Sequence, residues 1–491
     1  MKKRSKSLVR WLMGGWSAFL LGASLSAQGT APQVRFSEEV PLSYRAYDFD
    51  EVGRVGAYYY AVRTNRNRTF FEIDLFDAAS LRRRRTFEAA VPARPLAFRP
   101  TDSTLNVWGE DYHEGRVLLV VATYALDGRL LAADTLLRRK EPALLWQRHF
   151  TVAPPGMPGQ DAVGVWFPRS PRRREAVELW VFSNADRRIL WHQQGDQISG
   201  GTILPMSATA TQAAMAFRKD RLIKSDIWYY AHARPTEAVR FWALGRDSIH
   251  ARQPRMIWPF HDSLMPAVGY LTASTLFPDR MRGYGWFQHS TDGLPRMGSR
   301  RWPMDMVKAI RGMDAQAPYL ENLSLLAVYP MEGNRRLYLT EINYKRAEVF
   351  QQTTAFGQVQ TTRRIFYFSD EVVAFLVDTN HDIRWFQVLR KHQVSQDDNA
   401  LYSSVGRMVQ QTRLILFYNN MHQRFWNSEM WIVDPLGNTR RRILFSQKKQ
   451  PLDVVWRKGR QVGYETFLAP AYTRRGDQYR LVRVSVPEAA L

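Results

Sequence analysis

The sequence predicts an all-β protein, most simply a β-propeller of about seven or eight four-stranded blades. Strand-like runs rich in Val, Ile, Leu, Tyr, Phe and Trp alternate with short polar turns along nearly the whole chain of 491 residues. Hairpins recur at intervals of roughly 45 to 60 residues, about the length of one WD40-like repeat. Only one short segment, residues 304–311, has a helical pattern, with Pro303 ahead of it and Gly312 behind it.

Five hairpins carry the strand pattern. Each consists of an apolar strand, a polar turn whose residues tolerate positive φ, and a second strand. They occupy residues 118–137, 177–192, 325–342, 372–389 and 430–445. A long all-β chain must avoid exposed sheet edges, so the terminal strand at 479–486 is predicted to pair with the segment after Gln33 and close the ring.

An alternative architecture has two β-domains that divide near residues 250–262. Arg252, Pro254, Trp258 and Pro259 interrupt the strand pattern there, and a proline removes a backbone donor from a strand. The propeller remains the preferred prediction because the spacing of the hairpins suits successive blades better than a sandwich.

The first 27 residues have the layout of a secretory signal peptide. A basic head with Lys2, Lys3 and Arg4 precedes an apolar run at 11–25, and small residues lead up to Ala27. We expect cleavage after Ala27, which leaves residues 28–491 as one β-propeller-like domain. Export would place this domain in the periplasm, at the outer membrane or outside the cell. No later segment is long and apolar enough for a membrane span.

The surface is predicted to be strongly basic. The formal net charge is +23, and subtracting the five basic residues of the leader leaves +18. Arginine clusters at 82–85, 172–174 and 440–442 could bind carboxylate or phosphate groups, so acidic glycan, lipopolysaccharide and an envelope protein are the candidate partners. The alternative is a solvated basic face. A nucleic-acid partner is not expected, because no basic helix or compact binding motif accompanies the charge.

No cofactor, metal site or catalytic residue is predicted. Cysteine is absent from the sequence, which excludes disulfides, thiol nucleophiles and zinc-thiolate sites. Asp378, Asn380 and Asp382 have the spacing of a calcium loop, but Ile383 stands where that loop needs glycine. A hairpin turn is therefore the favoured interpretation.

Two other groups contain residue types that are common in active sites. Glu110, Asp111 and His113 could perform acid/base chemistry on a sugar, but a polar loop between strands is the simpler interpretation. Residues 261–263 have the sequence His-Asp-Ser. Neighbours in sequence do not generally converge as nucleophile, base and orienting group, so a catalytic triad is not predicted there.

The sixteen tryptophans and 21 tyrosines could form a carbohydrate-binding platform. Most of the tryptophans fall inside predicted strands, so packing between blades is the favoured interpretation. The tryptophans concerned are Trp180, Trp191, Trp242, Trp286, Trp385 and Trp431.

A polar segment at 383–420 is framed by apolar strand runs. A tryptophan strand is followed by a Lys-His-Gln turn, an Asp-Asp pair, a Tyr-Ser-Ser run and a strand that ends at Asn419 and Asn420. This order resembles a segment of uncharacterised exported β-rich proteins of Bacteroidetes, in which the last strand ends in Asn-Asp. The resemblance implies export and a propeller-like fold, and it implies no activity. Asn420 stands where the acid is usual.

The same segment contains the candidate ligand-binding residues. These side chains could line the mouth of the central channel and bind a polar ligand. Alternatively, they could form a hydrogen-bond network that ties a long connection to two strands, because buried polar groups must be paired. The candidates are Trp385, Lys391, Gln393, Asp397, Asp398, Tyr402, Ser403 and Asn419.

The sequence therefore favours an exported binding or scaffold protein of the cell envelope or the extracellular space, with an unknown ligand. The alternative is a hydrolase or lyase that acts on polysaccharide, with Asp111, Asp397 and Asp398 in the channel. That alternative requires two carboxylates to face each other across one cleft at the separations that glycosidases use.

Overall fold

The computed structural model describes residues 31–45, 48–65, 67–140, 149–153, 160–167, 174–199, 201–219, 227–246, 249–258, 266–274, 277–289, 294–353, 358–398, 400–410, 413–422, 425–473 and 475–488. These residues form an all-β, β-propeller-like fold that consists almost entirely of antiparallel sheet. The described α-helix, α1 (Met304–Arg311), has the predicted bounds. The predicted leader lies outside the described residues.

The described strands group into eight successive units, which we call blades. The first two strands, β1 (Gln33–Phe36) and β2 (Val40–Pro41), belong to blade 8. Blade 1 contains β3 (Asp48–Val55), β4 (Tyr58–Thr64), β5 (Phe71–Asp77) and β6 (Arg83–Glu88); blade 2 contains β7 (Arg94–Pro100), β8 (Thr104–His113), β9 (Arg116–Ala125) and β10 (Leu130–Lys140). Blade 3 contains β11 (Thr151–Ala153), β12 (Ala162–Phe167), β13 (Arg174–Ser183) and β14 (Ile189–Ser199); blade 4 contains β15 (Gly201–Ala208), β16 (Ala213–Lys219), β17 (Ile227–Arg234) and β18 (Glu237–Arg246).

Blades 5 to 8 follow the same order with a few additions. Blade 5 contains β19 (Ile249–Ile257), β20 (Ala267–Ser274), β21 (Arg280–His289), β22 (Pro295–Arg301) and the short β23 (Leu320–Glu321). Blade 6 contains β24 (Leu323–Met331), β25 (Arg335–Thr353), β26 (Val359–Val377), β27 (Ile383–Leu389) and β28 (Gln393–Gln396). Blade 7 contains β29 (Gly406–Gln410), β30 (Arg413–His422), β31 (Phe425–Val433) and β32 (Thr439–Ser446); blade 8 contains β33 (Leu452–Val454), β34 (Arg460–Gly463), β35 (Thr466–Thr473) and β36 (Gln478–Ser485). Short 3₁₀-helices lie at Glu332–Asn334 and Trp456–Lys458.

The blades are arranged around an axis with their inner strands side by side. β7 contacts β11, β11 contacts β15, β15 contacts β19, and β19 contacts β24. Further round the ring, β29 contacts β34 and β34 contacts β3. We call the space that these inner strands enclose the channel.

The apolar core lies between neighbouring blades. Successive residues of a strand point to opposite faces of the sheet, so a blade buries both faces when it stacks between two others. Leu339 and Ala374 of blade 6 form one buried cluster with Leu416 and Trp431 of blade 7. Similar clusters join blade 7 to blade 8 and blade 8 to blade 1. Stacking therefore covers the apolar residues that one blade alone would leave exposed.

The five predicted hairpins and the closure of the ring are confirmed. The hairpins correspond to β9–β10, β13–β14, β24–β25, β26–β27 and β31–β32. β1 pairs with β36 in antiparallel register, with Val34 opposite Val484. The two-domain alternative places its boundary where β19 forms the first strand of blade 5 and pairs with β20. Among the described residues, no helix is long and apolar enough to cross a membrane.

The tryptophans predicted to pack do so. Trp191, Trp286 and Trp431 are buried. The Trp180 ring stacks on His192 with 3.7 Å between the ring centroids. The remaining two are partly buried: the Trp385 indole N–H donates to the Pro435 carbonyl at 3.1 Å, and the Trp242 ring lies 5.5 Å from that of Phe287.

The described arginine clusters lie on outer strands. Residues 83–85 are in β6 and residues 440–442 are in β32. Arg84 lies 3.9 Å from Asp77, and Arg441 donates to Glu429 at 2.5 Å. Part of this basic surface is therefore already paired with carboxylates.

A two-stranded arm projects from blade 6. β25 and β26 each have 19 residues, and they stay paired from Asn343–Ser369 out to Thr353–Val359. β28 supports only the base of this arm, because it pairs with residues 366–369 of β26. We call residues 343–353 and 359–369 the arm.

A buried polar network locks blade 8 onto blade 1. The Tyr479 hydroxyl of β36 donates to Oδ2 of Asp74 at 2.5 Å, and Arg63 Nε donates to the same oxygen at 2.7 Å. Thr86 Oγ1 donates to the other carboxylate oxygen at 2.5 Å. Burial raises the pKa of Tyr479, so its hydroxyl stays protonated and continues to donate.

We expect Asp74→Ala to lower the free energy of unfolding by about 1–3 kcal/mol, because it removes the acceptor of the buried Tyr479 hydroxyl and one of the two carboxylates that pair with Arg63, the other being Glu72. Urea unfolding of the mature chain measures this effect. Asp102→Ala, at an exposed position, is the control and should change stability by less than about 0.5 kcal/mol. Equal losses in the two variants would contradict a role for this network in closing the ring.

Candidate functional site

The polar segment identified in the sequence forms the connection between blade 6 and blade 7. It runs from the end of β27 through β28 to the start of β29. Four of the candidate residues in and beside this connection are buried: Lys391, Gln393, Ser403 and Asn419 are between 1% and 6% exposed. Most of the polarity of the segment therefore faces the protein interior.

Lys391 forms a fully buried ion pair with Glu341 of β25. The Lys391 Nζ to Glu341 Oε1 distance is 2.9 Å, and both side chains are 0% exposed. Lys391 Nζ also donates to Ser369 Oγ at 2.7 Å and to Gln393 Oε1 at 2.6 Å. Glu341 accepts further hydrogen bonds from Ser404 Oγ at 2.6 Å and Asn343 Nδ2 at 2.9 Å. Each charge has both a counter-charge and hydrogen-bond partners.

The charged pair continues as a hydrogen-bond chain into the next two blades. Gln393 Nε2 donates to the Asn419 carbonyl at 2.7 Å. Asn419 Nδ2 donates to the Val454 carbonyl at 2.8 Å, and Asn419 Oδ1 accepts from Trp456 Nε1 at 2.9 Å. Since Asn419 lies in blade 7 while Val454 and Trp456 belong to blade 8, the chain links three blades. We call it the interblade network.

The pKa values of Lys391 and Glu341 both lie below their ordinary values, for different reasons. Burial lowers the pKa of Lys391 below its ordinary value, against the attraction of Glu341. Burial also opposes ionisation of Glu341, but the charge of Lys391 and the hydrogen bonds from Ser404 and Asn343 outweigh it. The pKa of Glu341 therefore lies below its ordinary value, and its carboxylate is ionised at neutral pH.

Asp397 fixes the base of the arm. Its backbone N–H donates to the Ile365 carbonyl at 2.9 Å, and its Oδ1 accepts from the Ile365 N–H at 2.8 Å. Asp397 has a φ of 53°, a conformation that aspartate tolerates better than most residues. This clamp continues the β28 pairing by one residue and then ends it.

Asn420 lies in β30 beside the carboxylate of Glu429. Its Nδ2 donates to Glu429 Oε1 at 3.2 Å. Glu429 also accepts from Tyr418 Oη at 2.9 Å and from Arg441 Nε. An amide is therefore compatible with the neighbouring carboxylate, whereas a second acid would repel it.

A cavity of about 270 Å³ lies beside the interblade network, and we call it the acidic cavity. Asp398 Oδ1 accepts from the Ala400 N–H at 2.9 Å, while its buried Oδ2 has no hydrogen-bond partner among the described residues. Burial, then Asp453 and Asp398, raise the pKa of Tyr402. The lining residues are Val394, Ser395, Gln396, Asp398, Tyr402, Ser403, Asn419, Trp426 and Asp453.

A second cavity, of about 400 Å³, lies at the base of the arm, and we call it the arm cavity. The rings of Tyr344 and Phe368 stack there with 4.6 Å between centroids and 6° between planes. Arg457 Nη1 donates to the Ala400 carbonyl at 2.7 Å, which fixes the guanidinium at the wall. The lining residues are Asn343, Tyr344, Lys345, Tyr367, Phe368, Ala400, Ser403, Ser404 and Arg457.

The candidate residues thus occupy different environments. Asp398, Tyr402, Ser403 and Asn419 line the acidic cavity, and Ser403 also lines the arm cavity. Lys391 and Gln393 belong to the interblade network, and Asp397 clamps the arm. Trp385 packs under the turn of blade 7, where the Gly437 backbone leaves no room for a Cβ against its ring.

Sequence reasoning did not identify Glu341 or the walls of the arm cavity. Glu341 lies 50 positions before Lys391 and reads as an ordinary strand residue. The Ile-Phe-Tyr-Phe run at 365–368 was a usable signal, because four consecutive large apolar residues cannot all face a core in an alternating strand. Arg457 gave no local signal.

The other groups with catalytic or metal-binding residue types have structural partners. Asp378 Oδ1 accepts from the N–H groups of Asn380 and Asp382 at 2.9 and 3.0 Å, so the predicted hairpin turn is confirmed. The polar loop predicted for Glu110, Asp111 and His113 is wrong, because these residues end strand β8. Glu110 is buried there because it accepts the N–H groups that begin the next blade, at residues 149–150.

The run at 261–263 lies outside the described residues. Among the residues that the structure describes, there is no group of three or more His, Asp or Glu side chains that could hold a metal ion.

No family model and no curated protein matches the sequence. The chain is similar to a prolyl endopeptidase structure at 11% identity and a TM-score of 0.39, covering 96% of this chain and 59% of that one. It therefore spans about three fifths of that enzyme's length. It is also similar to the Dos1 propeller, at 7% identity and a TM-score of 0.47, covering 92% of this chain and 96% of that one.

A third similar structure is a member of the DUF4221 family from Bacteroides vulgatus. The identity is 10% and the TM-score is 0.31, and the match covers 84% of this chain and 99% of that one. These identities and TM-scores are too low to indicate a function for this chain. The cavities themselves are therefore the basis for the proposed function.

We expect Lys391→Met to lower the free energy of unfolding by about 3–5 kcal/mol, because it leaves the Glu341 carboxylate buried without a counter-charge. The double variant Lys391→Met/Glu341→Gln should recover most of this loss. Arg346→Met, which breaks the exposed Arg346–Glu348 pair at 3.3 Å, should cost less than about 1 kcal/mol. A double variant as unstable as the single one would contradict the charge-pair explanation.

The ion pair also predicts a dependence of stability on pH. Because the pKa of Glu341 is lower in the folded state than its ordinary value of 4.5, its contribution is present above that value and disappears as the pH falls through the folded-state pKa. Urea unfolding below about pH 5 should show a shallower loss of stability for Lys391→Met/Glu341→Gln than for wild type. Parallel curves would contradict this prediction.

Proposed function

We propose that the protein is an exported, non-catalytic binding protein of the cell envelope or the extracellular space, and that it binds an acidic glycan in the arm cavity. The observation that carries this proposal is the composition of the cavity wall. Three aromatic residues and two cationic residues line the arm cavity, and none of the described lining residues is acidic. The proposed export depends on the leader pattern in the sequence.

The wall suits a sugar that carries a carboxylate. Aromatic faces provide apolar contact area, and a few placed polar groups fix the orientation of the ligand. The stacked Tyr344 and Phe368 rings provide one such apolar wall. Arg457 is held on the Ala400 carbonyl, and Lys345 is exposed on the arm. These two cations would attract an anion, while a neutral sugar would gain only the ring contacts.

The binding test uses a uronic-acid oligosaccharide and a neutral oligosaccharide of the same length, with calorimetry at fixed ionic strength. Wild type should bind the acidic one, and Lys345→Gln and Arg457→Gln should each weaken that binding at least about tenfold, since each removes one charge-assisted contact. Lys449→Gln, at an exposed lysine of blade 7, is the control and should bind normally. No binding by wild type, or equal binding of both sugars, would contradict the proposal.

A hydrolase or lyase that acts on polysaccharide is the second candidate, and one observation favours it. Asp398 and Asp453 line the same acidic cavity, together with Trp426. The other acids considered from the sequence do not line this cavity: Asp111 Oδ1 accepts from the Ala93 N–H at 2.6 Å, and Asp397 clamps the arm. Catalysis, if present, would thus use Asp398 and Asp453.

Polysaccharide turnover tests this second candidate through release of reducing ends or formation of an unsaturated product. If the acidic cavity is catalytic, Asp398→Asn should abolish turnover and Asp111→Asn should leave it unchanged. Turnover that survives both substitutions would exclude the acidic cavity as its source. Binding without any turnover in wild type is the result that the non-catalytic proposal expects.

A further inference from the structure

Two neighbouring inner strands, β19 and β24, carry β-bulges at the same level of the channel wall. The pairing of β19 with β20 shifts between Arg252 and Arg255, and Gln253 within that shift has a φ of 48°. The pairing of β24 with β25 shifts between Leu325 and Ala327. Bulges re-aim backbone groups and occur often beside functional sites.

Backbone groups of β24 at its bulge bond to side chains of two other inner strands, β19 and β29. Leu325 N–H donates to Gln253 Oε1 at 2.5 Å, and the Leu325 carbonyl accepts from Arg255 Nε at 3.0 Å. The next carbonyl, that of Leu326, would point to β25 in a regular strand, but the bulge leaves Leu326 unpaired. It accepts from Arg407 Nη1 of β29 at 2.6 Å. Two guanidinium groups from different blades therefore meet at consecutive carbonyls of one strand.

Neither guanidinium has a counter-charge. Among the described residues, Arg255 and Arg407 form no ion pair, and β19, β24, β29 and β34 contain no acidic residue. Burial, and after it the charge of Arg407, lower the pKa of Arg255. An arginine remains protonated under such conditions, so this part of the channel wall holds two neighbouring positive charges, one on the half-buried Arg255 and one on the exposed Arg407.

Bonding to the edge of an inner strand does not require a charge. Gln461 performs the same task on β29: its Nε2 donates to the Val409 carbonyl at 2.9 Å, and its Oε1 accepts from the Val409 N–H at 3.0 Å. Gln253 likewise satisfies Leu325 N–H without a charge. Two like charges side by side repel each other and cost stability, so edge bonding alone does not account for arginine at these two positions.

We propose that Arg255 and Arg407 form an oxyanion site in the channel wall, which binds a sulfate, phosphate or carboxylate group. Each guanidinium has five N–H donors in a planar fork, and one donor from each is used on a β24 carbonyl. The remaining donors match the spacing of oxyanion oxygens. This site is separate from the arm cavity, whose lining includes neither arginine.

The experiment measures stabilisation of the mature chain by sodium sulfate and by sodium phosphate, each against sodium chloride at equal ionic strength. Sulfate or phosphate should raise the unfolding temperature of wild type, and calorimetry should give a saturable binding curve. Arg255→Gln and Arg407→Gln should each weaken this binding at least about tenfold, because each removes a charge-assisted contact. Arg407 is exposed, so its substitution keeps the test valid if Arg255→Gln unfolds the chain.

A matched control is Arg335→Gln. Arg335 also donates through Nε to a backbone carbonyl, that of Glu332 at 2.8 Å, but it lies in the hairpin turn of blade 6 and outside the site. This variant should bind sulfate as wild type does. The proposal is overturned if sulfate, phosphate and chloride stabilise wild type equally, or if Arg255→Gln/Arg407→Gln binds as tightly as wild type.

A further comparison distinguishes the source of the oxyanion. A sulfated oligosaccharide and a phosphorylated one are compared with the inorganic ions. Binding of the inorganic ions alone indicates a free anion, and tighter binding of an oligosaccharide indicates a group carried on a longer molecule. Both results depend on Arg255 and Arg407, whereas loss of uronic-acid binding in Lys345→Gln concerns the arm cavity alone.

Discussion

Pairing of β1 with β36 is the constraint on which the rest of the structure depends. A stack of sheets leaves two open faces unless its first and last members meet, and here the N-terminal strand completes the last blade. Asp74 strengthens this junction, because it accepts hydrogen bonds from Tyr479 of blade 8 and Arg63 of blade 1. Closure fixes the relative positions of inner strands far apart in sequence. The channel wall and the connection between blades 6 and 7 acquire their geometry from it.

The interblade network performs a similar function between blades 6, 7 and 8. Its connection is long and polar, and it would leave unpaired backbone groups if it crossed an apolar interior. Lys391 and Glu341 neutralise each other, and Asn419 carries the hydrogen bonds on to blade 8. The connection is thereby held firmly enough to serve as one wall of two cavities, which Ser403 separates. The same residues therefore hold the connection in place and border both cavities.

Local chemistry explains which parts could be predicted. Apolar strands and turn residues are neighbours in sequence, so the hairpins, α1 and the closing strand follow from short windows. Partners across blades follow from register and stacking, which no short window contains. The sequence predicts Lys391 as a candidate ligand-binding residue, but its partner Glu341 cannot be assigned without the β25–β26 register. The prediction of a polar loop at Glu110 was wrong for the same reason. The N–H groups that bind its carboxylate belong to residues 149–150, which begin the next blade.

Lys391 differs from Arg255 and Arg407 in its hydrogen-bond partners, and this difference bears on function. Lys391 is fully buried and has a carboxylate at 2.9 Å, as a structural charge requires. Arg255 and Arg407 lie on inner strands, and among the described residues their hydrogen-bond partners are carbonyl groups of β24. A purely structural role would be met by a glutamine such as Gln461, which bonds both groups of Val409 without any charge to neutralise. Carbonyl groups of β24 hold these two arginines in place without neutralising their charge. Such a pair has the properties that we propose for an oxyanion site.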